Sequence, residues 1–273
     1  MTIEDLLNYG IKYHHKDEVK LLLATILNMN PLELTLHLND EVSLELKNKY
    51  YKAIELLGRG EPLQYVLSNA CFYGYDYYVN KNVLIPRFET EELVYNTLEF
   101  LRKNRPDAKV LDLCTGSGCI GLTMKMELST ISVTMSDISK DALEVANINK
   151  DKYQVDCNII LSDLFENIND KFDCIISNPP YIGYDEEVMD LVKNNEPSIA
   201  LYASNNGLAI YERIFKDAKK YLNESYLLAF ELNSNKSMEI YNLAKKSFNE
   251  DKIILKKDNY GRDRMLFVLN NFE

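Results

Sequence analysis

The sequence lacks the features that would indicate a metal site or a disulfide framework. It has no tryptophan, three histidines and five cysteines in 273 residues, and no CxxC pair. Cys114 and Cys119 are close together, but His14, His15 and His37 are far from them in sequence, so we expect no metal site. Five scattered cysteines are typical of reduced thiols rather than of disulfides.

Long apolar runs and long basic runs are also absent. No stretch approaches the roughly 20 apolar residues of a membrane span, and the first five residues, MTIED, do not resemble a signal or transit peptide. We therefore expect a soluble cytoplasmic protein. The formal net charge is −11, and the lysines and arginines are interspersed with acids. Such a charge repels nucleic acid and favours protein or small-molecule partners.

The N-terminal part of the chain, residues 1–70, predicts a small helical bundle. Apolar residues recur at helical spacing from Val19 to Ile26, after Asp17 as a possible N-cap. Asn30-Pro31 predicts the start of a short helix, and a third apolar face runs over residues 42–57. A packing role and a role in presenting a surface to a macromolecular partner are equally compatible with this pattern.

The next segment, residues 71–88, is aromatic and rich in β-forming residues. It predicts a hairpin over residues 71–79 and a further strand at Val83–Ile85, and together these form a linker between two domains. Thr90 is then predicted to cap the following helix.

Residues 89–273 alternate apolar strands with helical patterns. Such alternation predicts an open, mostly parallel α/β sheet whose ligand binds at the carboxyl ends of the strands. The predicted strands are Lys109–Leu113, Ile131–Ser136, Asn158–Leu161, Phe172–Ile176, Tyr226–Phe230, Lys252–Leu255 and Met265–Leu269.

A glycine-rich loop follows the first of these strands. Gly116, Gly118 and Gly121 form a GxGxxG pattern between a strand and a helix, and Asp137 ends the next strand. Glycines allow close approach of the backbone to a ligand, and a carboxylate at a strand end can accept both hydroxyls of a ribose. The pattern predicts an adenosine-containing ligand, and by itself it is equally compatible with NAD.

Two observations favour S-adenosylmethionine over NAD. Asp112 lies inside the strand before the loop, where a buried carboxylate needs loop amides or a ligand ammonium as a partner. The sequence also offers no acid-base pair for hydride transfer, and an NAD enzyme would leave the motif described next without a role.

That motif is the stretch Ser177–Tyr181, which directly follows an apolar strand. Two prolines after Asn178 end the strand in a stiff corner. The Asn178 side-chain oxygen and the Pro179 carbonyl are then two acceptors that can bind the two hydrogens of one planar NH2 group. An ordinary Asn-Pro turn is the alternative interpretation of the corner taken alone.

Taken together, these motifs resemble HemK/PrmC-type protein-(glutamine-N5) methyltransferases, which modify the Gly-Gly-Gln glutamine of peptide chain release factors. The resemblance covers nearly the whole chain. Its matching stretches are Glu61–Tyr65, Leu84–Thr90, Asp112–Gly118, Asp137–Ser139, Ala142-Leu143, Ser162–Phe165, Asn178–Tyr181, Glu196-Pro197, Ala200-Leu201, Gly207-Leu208 and the tail from Asp258 to Arg264.

The resemblance implies a Rossmann-like seven-stranded fold dependent on S-adenosyl-L-methionine, with S-adenosyl-L-homocysteine as product. It implies that Cys114–Gly118 bind the methionine part of the cofactor, Asp137 the ribose and Leu164 the adenine. It further implies a monomer whose partners are class 1 release factors, gripped by the N-terminal domain. The implied cofactor-binding residues are Asp112, Cys114, Thr115, Gly116, Ser117, Gly118, Asp137, Asp163, Leu164 and Asn178, and the implied catalytic residues are Asn178, Pro179, Pro180 and Tyr181.

The chain departs from the family pattern at five positions. Cys114, Asn233 and Lys236 stand where Gly, Gly and Gln are usual, and Phe88 and Ser68 replace a frequent Pro and Gly. The departures at residues 233 and 236 bear on the loop after Glu231, at the end of a predicted strand.

Two other functions remain compatible with the motifs. The exocyclic amine of adenine presents the same planar NH2, so an adenine-N6 methyltransferase is one alternative; the acidic charge and the helical N-terminal domain disfavour it. The other is a binding module without catalytic activity, which the intact Asn178 corner disfavours.

Overall fold

A computed structural model of the chain describes residues 1–271. The chain forms two compact units, each of which has its own hydrophobic core. The first unit contains Met1–Asn69 together with Met189–Asn195, and the second contains Ala70–Val188 and the chain from Glu196 onward.

The first unit is helical. Its core is apolar apart from the hydroxyl of the fully buried Tyr50, which donates to the Leu6 carbonyl at 2.9 Å. Thr2 begins the unit with a capping box, accepting from the Asp5 backbone while Asp5 accepts from the Thr2 backbone. The helices are α1 (Ile3–Gly10), α2 (Lys16–Ile26), α3 (Pro31–Leu36), α4 (Leu44–Gly58) and α5 (Leu63–Leu67).

The start of α2 differs from the predicted one. His15 occupies the N-cap position and Asp17 lies inside the first turn, so the prediction of Asp17 as N-cap was wrong. An acidic side chain in the first turn is favourable through the helix dipole, so Asp17, the second residue of α2, is an acid near the helix start without being its cap. Asn30, by contrast, caps α3 with its side chain, as its sequence context predicts.

The second unit is built on one large sheet with helices on both faces. Its helices are α6 (Phe88–Asn104), α7 (Cys119–Glu127), α8 (Lys140–Tyr153), α10 (Ser198–Leu201), α11 (Ala209–Asp217) and α12 (Ser237–Ser247), with two short 3₁₀ turns at Ala218–Tyr221 and Ser234–Lys236. Its strands are β1 (Ala70–Phe72), β2 (Tyr75–Tyr77), β3 (Lys109–Leu113), β4 (Ser132–Asp137), β5 (Asn158–Leu161), β6 (Phe172–Ser177), β7 (Leu222–Glu231), β8 (Lys252–Lys257) and β9 (Asp263–Asn270). The helix α9 (Asp190–Asn195) belongs to the first unit.

The large sheet has seven strands in the order β5-β4-β3-β6-β7-β9-β8. The pairs from β5 to β7 are parallel, and β9 runs antiparallel to both of its neighbours. Alternate residues of β3 enter different cores, Val110 on one face and Leu111 on the other, as expected for a sheet covered on both sides. The prediction of a Rossmann-like α/β fold with a helical N-terminal region is confirmed.

The start of the second unit contains the predicted hairpin but lacks the predicted strand. β1 and β2 pair antiparallel, whereas Val83–Ile85 is not a strand. The backbone N–H of Ile85 donates instead to the side chain of Glu196 at 3.2 Å. A side chain 111 positions away therefore supplies the partner that a neighbouring strand would have supplied.

Within residues 1–271, none of the helices combines the length and the apolar composition that crossing a membrane requires.

Candidate active site

The sheet register brings the two main motifs side by side. Leu113, at the end of β3, pairs with Ser177, at the end of β6. The Ser177 hydroxyl also donates to the Leu113 carbonyl at 2.5 Å. The chain leaves β3 toward β4 on one side and β6 toward β7 on the other, so this pair marks the point where the strand order reverses. Ligands of open α/β sheets bind at such a switch point, outside the carboxyl ends of the strands.

A cavity of about 190 Å³ lies at this point, and its walls come from the second unit. It brings together nine of the residues that the sequence analysis singled out, from both motifs and from the ends of β4 and β5. These are Cys114, Thr115, Gly116, Ser117, Asp137, Asp163, Leu164, Asn178 and Pro180. Asp112, Gly118, Pro179 and Tyr181 are not among the residues that line this cavity.

The three glycines of the loop have different roles. Gly116 lines the cavity at φ +56°, and a side chain added there would point into open space. At Gly118, φ +82°, an added Cβ would lie 3.3 Å from the Cβ of Ala146, and at Gly121 it would lie 2.7 Å from Met135. Only Gly116 therefore lets the backbone face a ligand, while Gly118 and Gly121 allow α7 to pack closely against its neighbours.

The backbone conformation at Cys114 explains why the family pattern has glycine at this first position of the loop. Its φ is +62°, in the left-handed region that disfavours a side chain. Cysteine is small enough to occupy this conformation while its side chain contributes to the cavity wall. Burial raises the pKa of the Cys114 thiol well above its usual range, so the thiol is neutral and not a nucleophile.

Asp137 ends β4 and holds the glycine loop in place. Its Oδ2 accepts from the Gly116 backbone and its Oδ1 from the Ser139 backbone, both at 2.9 Å. Burial raises its pKa above the ordinary value, and these backbone donors oppose the rise. The carboxylate lines the cavity, where it is placed to accept further hydrogen bonds from ligand hydroxyls.

Asp112 is fully buried behind the loop. Its Oδ2 accepts from the Thr115 hydroxyl at 2.5 Å and from the Gly121 backbone at 2.9 Å, whereas its Oδ1 is buried without a partner. Burial raises the pKa of Asp112 to about 7, against the effect of the Thr115 and Gly121 donors. Asp112 therefore shapes the loop from behind. Of the two kinds of partner predicted for it, a loop amide or a ligand ammonium, the structure shows neither: its partners are the Thr115 hydroxyl and the Gly121 amide in the first turn of α7.

We expect Asp112→Asn to change how stability depends on pH. Because the folded pKa lies above the unfolded one, the folded chain binds this proton more tightly and loses that advantage as pH rises from about 4 to about 7. Asparagine keeps the acceptor for Thr115 and Gly121 without titrating. The difference between the unfolding free energies of the variant and of wild type should therefore increase in favour of the variant as pH rises, by at most about 1.4 kcal/mol per pH unit. Urea unfolding at several pH values measures this difference, and a difference that stays constant from pH 4 to 7 would contradict the shift.

Arg213 is a cavity residue that the sequence analysis missed. Its guanidinium lies 2.9 Å from Asp163, and both side chains line the cavity near Leu164. The hydrogen bond to Asp163 raises the pKa of Arg213 further. Helical periodicity places Arg213 on α11 but gives no sign that this helix reaches the cavity, so no local signal was available.

The Asn178 side chain is fixed by residues from two other elements. Its Nδ2 donates to the Thr90 hydroxyl at 3.1 Å, and that hydroxyl donates to Glu231 Oε2 at 2.5 Å. The predicted role of Thr90 as a helix cap was wrong, since α6 already begins at Phe88 with Arg87 at the cap position. Thr90 lies inside the first turn and uses its hydroxyl for this long-range contact.

Tyr181 joins the same cluster. Its hydroxyl donates to Glu231 Oε1 at 3.2 Å, and its ring packs against the core on one face of the sheet. Burial, with the nearby Glu231 carboxylate, raises the pKa of Tyr181 well above its usual range. Tyr181 is therefore a neutral donor that helps to hold Glu231.

A buried ion pair fixes one wall of the cavity. Arg87 lies 2.5 Å from Glu196 Oε1, and the Glu196 side chain is 2% exposed. Because Arg87 lines the cavity, this pair and the bond from Ile85 to Glu196 hold the segment before α6 at the cavity edge.

The two departures from the family pattern after β7 form one cluster with Glu186. Lys236 forms an ion pair with Glu186, and Asn233 Nδ2 donates to the other carboxylate oxygen at 3.1 Å. The Gly183 backbone donates to Glu186 at 2.6 Å, and Lys236 also donates to the Asn206 carbonyl at 2.6 Å. Although burial opposes it, the Lys236 ammonium and the other donors lower the pKa of Glu186. The cluster ties the segment after Tyr181 to the end of β7.

The residues at the cavity fit S-adenosylmethionine. The Asp137 carboxylate lines the cavity and can accept from ribose hydroxyls in addition to the Gly116 and Ser139 backbone N–H groups that already bind it. Apolar side chains at Leu164 and at the half-exposed Ile138 suit a flat adenine ring. The open side of Gly116 leaves room for close approach of a ligand to the backbone. Among residues 1–271, no group of three or more His, Cys, Asp or Glu side chains is placed to hold a metal ion.

Solved structures share the fold of the second unit, and a family model gives its class. A methyltransferase from Pyrococcus furiosus superimposes with a TM-score of 0.53 at 17% identity, covering 73% of this chain and 90% of that one. The ribosomal protein L11 methylase from Lactobacillus delbrueckii subsp. bulgaricus gives a TM-score of 0.50 at 19% identity, covering 67% and 78%. The family model "Methyltransferase small domain" matches residues 93–195. The second unit is therefore a methyltransferase with S-adenosylmethionine as its methyl donor.

Relatives over the whole chain identify the family. The release factor glutamine methyltransferase of Streptococcus pneumoniae is 35% identical over 269 residues, which cover 97% of this chain and 94% of that protein. The enzyme of the same name from Bacillus subtilis is 32% identical over 281 residues, covering 98% of each. The model "PrmC N-terminal domain" matches residues 8–67. This chain belongs to the release factor glutamine methyltransferase family.

Proposed function

We propose that this chain transfers the methyl group of S-adenosylmethionine to the side-chain nitrogen, N5, of the glutamine in the Gly-Gly-Gln motif of class 1 peptide chain release factors. The relatives named above support the substrate. The observation that carries the chemistry is the orientation of Asn178: its NH2 end is bonded to Thr90, so its oxygen is the end left for a substrate NH2.

The substrate nitrogen is a poor nucleophile, and this defines what the site must do. The amide lone pair is delocalised into the carbonyl, the resonance that gives an amide its rotation barrier of about 18–20 kcal/mol. Glu231, whose carboxylate is linked to Asn178 through Thr90, already accepts from the Thr90 and Tyr181 hydroxyls and is not placed as a base. Catalysis therefore rests on fixing the NH2 group in one orientation and excluding water.

Two acceptors of the corner provide that orientation. Asn178 Oδ1 and the Pro179 carbonyl each accept one hydrogen of the substrate NH2. As the nitrogen bonds to the methyl carbon and the bond from that carbon to sulfur breaks, the nitrogen becomes positive and its hydrogens become stronger donors; one of them then leaves as a proton to solvent, which gives the neutral methylated amide. Both acceptors therefore bind the transition state more tightly than the ground state, which is the condition for raising kcat. Pro180 and Tyr181 keep the corner rigid, and Tyr181 packs against the glutamine stem.

The cofactor is held by the residues around the glycine loop. Cys114–Gly118 bind its methionine part from the front of the loop, with Asp112 fixing the loop from behind, while Asp137 accepts from the ribose and Asp163 and Leu164 flank the adenine. Bound there, it supplies a methyl group activated by a positively charged sulfur.

We assign substrate recognition to the first unit. The family model for the N-terminal domain covers most of it. Its surface also carries large exposed apolar side chains at Leu32 and Leu36 on α3 and at Leu44 on α4, which are 73%, 77% and 71% exposed. Exposed apolar groups of this size on a helical surface suit contact with a protein. We expect a monomeric cytoplasmic enzyme that binds the release factor without direct contact to nucleic acid.

The test is transfer of labelled methyl from S-adenosylmethionine to a purified class 1 release factor. A release factor whose motif glutamine is replaced by alanine and an adenine-containing DNA are run alongside. We expect label in the wild-type factor only, at one methyl per chain, with mass spectrometry placing it on the glutamine side chain. Label in DNA and not in the factor would replace this function with adenine methylation. No label in any substrate would favour a binding module without activity.

A further inference from the structure

The hydrogen-bond partners of Thr90 determine which way the Asn178 amide faces. A threonine hydroxyl has one hydrogen to donate and two lone pairs that accept. Thr90 lies 2.5 Å from Glu231 Oε2 and 3.1 Å from Asn178 Nδ2. An ionised carboxylate can only accept, so the single hydrogen of Thr90 goes to Glu231. Toward Asn178, Thr90 can then offer only a lone pair.

The asparagine amide has two ends of nearly equal size, one donor and one acceptor, and its shape alone does not select between its two orientations. A lone pair at Thr90 accepts only the NH2 end. Reversal would bring the Asn178 oxygen against the Thr90 oxygen, with no hydrogen between them. The constraint therefore passes from Glu231 through Thr90 to Asn178, across three elements of the fold.

We propose that Thr90 and Glu231 are positioning residues, which lock the Asn178 side chain with its oxygen toward the substrate amide. This inference rests on the function proposed above and extends it to the residues behind the catalytic corner. Neither residue belongs to the Ser177–Tyr181 stretch. Thr90 also lines the cavity and Glu231 does not, and we attribute the effect of both on turnover to the orientation of Asn178.

The surroundings of Glu231 suit a fixed acceptor. Its side chain is buried at the end of β7 and accepts from the hydroxyls of Thr90 and Tyr181, one on each oxygen. Burial raises the pKa of Glu231, while the Thr90 hydroxyl and the nearby positive charge of Arg264 oppose the rise. Arg264 is itself held by the Leu232 carbonyl at 3.1 Å. The orientation of Asn178 requires Glu231 to be ionised, and the positive charge of Arg264 and the hydroxyls of Thr90 and Tyr181 all favour that state.

The first test compares two threonines on the same helix. Thr90→Val removes the relay hydroxyl while keeping the side-chain shape. Thr97→Val is the matched control, since Thr97 is also fully buried but its hydroxyl donates only to the Leu93 carbonyl at 2.7 Å. We expect Thr90→Val to lower kcat for release factor methylation by about 10-fold or more, with the Kd for S-adenosylmethionine unchanged. Thr97→Val should leave kcat within about 2-fold, and Thr90→Ser, which restores the hydroxyl, should recover most of the rate. Equal losses in Thr90→Val and Thr97→Val, or no loss in either, would overturn the proposal.

A double-mutant cycle separates positioning through Asn178 from a general structural effect. If Thr90 acts only by orienting Asn178, then Thr90→Val should change kcat by less than about 2-fold in an Asn178→Ala background. If its effect is the same in both backgrounds, Thr90 acts independently of Asn178 and the inference is wrong.

A second readout does not depend on activity. The side-chain NH2 of Asn178, identified in a ¹⁵N spectrum by its loss in Asn178→Ala, should exchange with solvent at least about 10-fold faster in Thr90→Val than in wild type or Thr97→Val. If wild-type protein methylates no release factor, the proposed function fails, and this exchange rate still tests the lock. Equal exchange in all three proteins would overturn the lock even where methylation is confirmed.

Discussion

Asn178→Ala is expected to reduce kcat for methylation of a release factor by about 100-fold or more, which corresponds to about 3 kcal/mol. The Asn178 oxygen is one of two acceptors for the substrate NH2, and its bond strengthens as charge develops on nitrogen. The Kd for S-adenosylmethionine should stay within about threefold of wild type, because the glycine loop and Asp137 remain in place. Single-turnover methylation and calorimetric titration of the cofactor measure the two quantities separately.

The control for this variant is Asn147→Ala, which removes an asparagine on α8 whose amide donates to the Leu143 carbonyl at 2.8 Å. Its kcat should match wild type. If Asn178→Ala weakens cofactor binding as much as it slows turnover, Asn178 binds the cofactor rather than the reacting amide, and its proposed role as the substrate acceptor is wrong.

Asp137→Ala is expected to weaken cofactor binding more than it slows turnover, the reverse of Asn178→Ala. Hydrogen bonds to a charged group contribute about 1.5–3 kcal/mol each, and two bonds to ribose hydroxyls are lost together. The Kd for S-adenosylmethionine should therefore rise by about 100-fold or more, with a smaller effect on the rate at saturating cofactor. Asp137→Asn keeps one acceptor oxygen, so its Kd for S-adenosylmethionine should lie between those of wild type and Asp137→Ala.

Two controls accompany the Asp137 variants. Asp141→Ala removes an exposed carboxylate from the first turn of α8, close in sequence to Asp137, and should leave the Kd unchanged. Because Asp137 also accepts from Gly116 and Ser139, the Tm of each variant shows whether the loop still folds. A stable Asp137→Ala protein that binds the cofactor normally would remove Asp137 from the cofactor site.

The strands of the large sheet were predictable because the information for them is local. All seven predicted strands exist, and two of them, β3 and β5, have the predicted bounds. β4 is shifted by one residue toward the C-terminus, and the other four extend beyond the predicted bounds, most of all β7, which begins at Leu222 instead of Tyr226. Leu222 is buried, but the three residues that follow it are polar and at least partly exposed, so apolar periodicity does not mark this part of the strand.

The residues behind the site were not predictable because their partners are distant in sequence. Thr90 is 88 positions from Asn178 and 141 from Glu231, and its local context favours a helix cap. Asn149 is a similar case, since its side chain donates to the Ser117 carbonyl at 2.9 Å and to the Tyr78 carbonyl at 2.9 Å. The sequence patterns identified the groups of the two main motifs that line the cavity, whereas Arg213 and the contacts that hold these groups in place emerge only from the fold.

The cluster of Glu186, Asn233 and Lys236 has a consequence for how such sequences can be recombined. The three side chains satisfy one another, so an exchange that brings in only part of the set leaves a carboxylate or an ammonium without its counterpart. A chimera that takes the stretch after β7 from a relative with glycine and glutamine there should therefore also take the stretch around residue 186. Among close homologues, we expect these three positions to change together rather than singly, as one inherited unit.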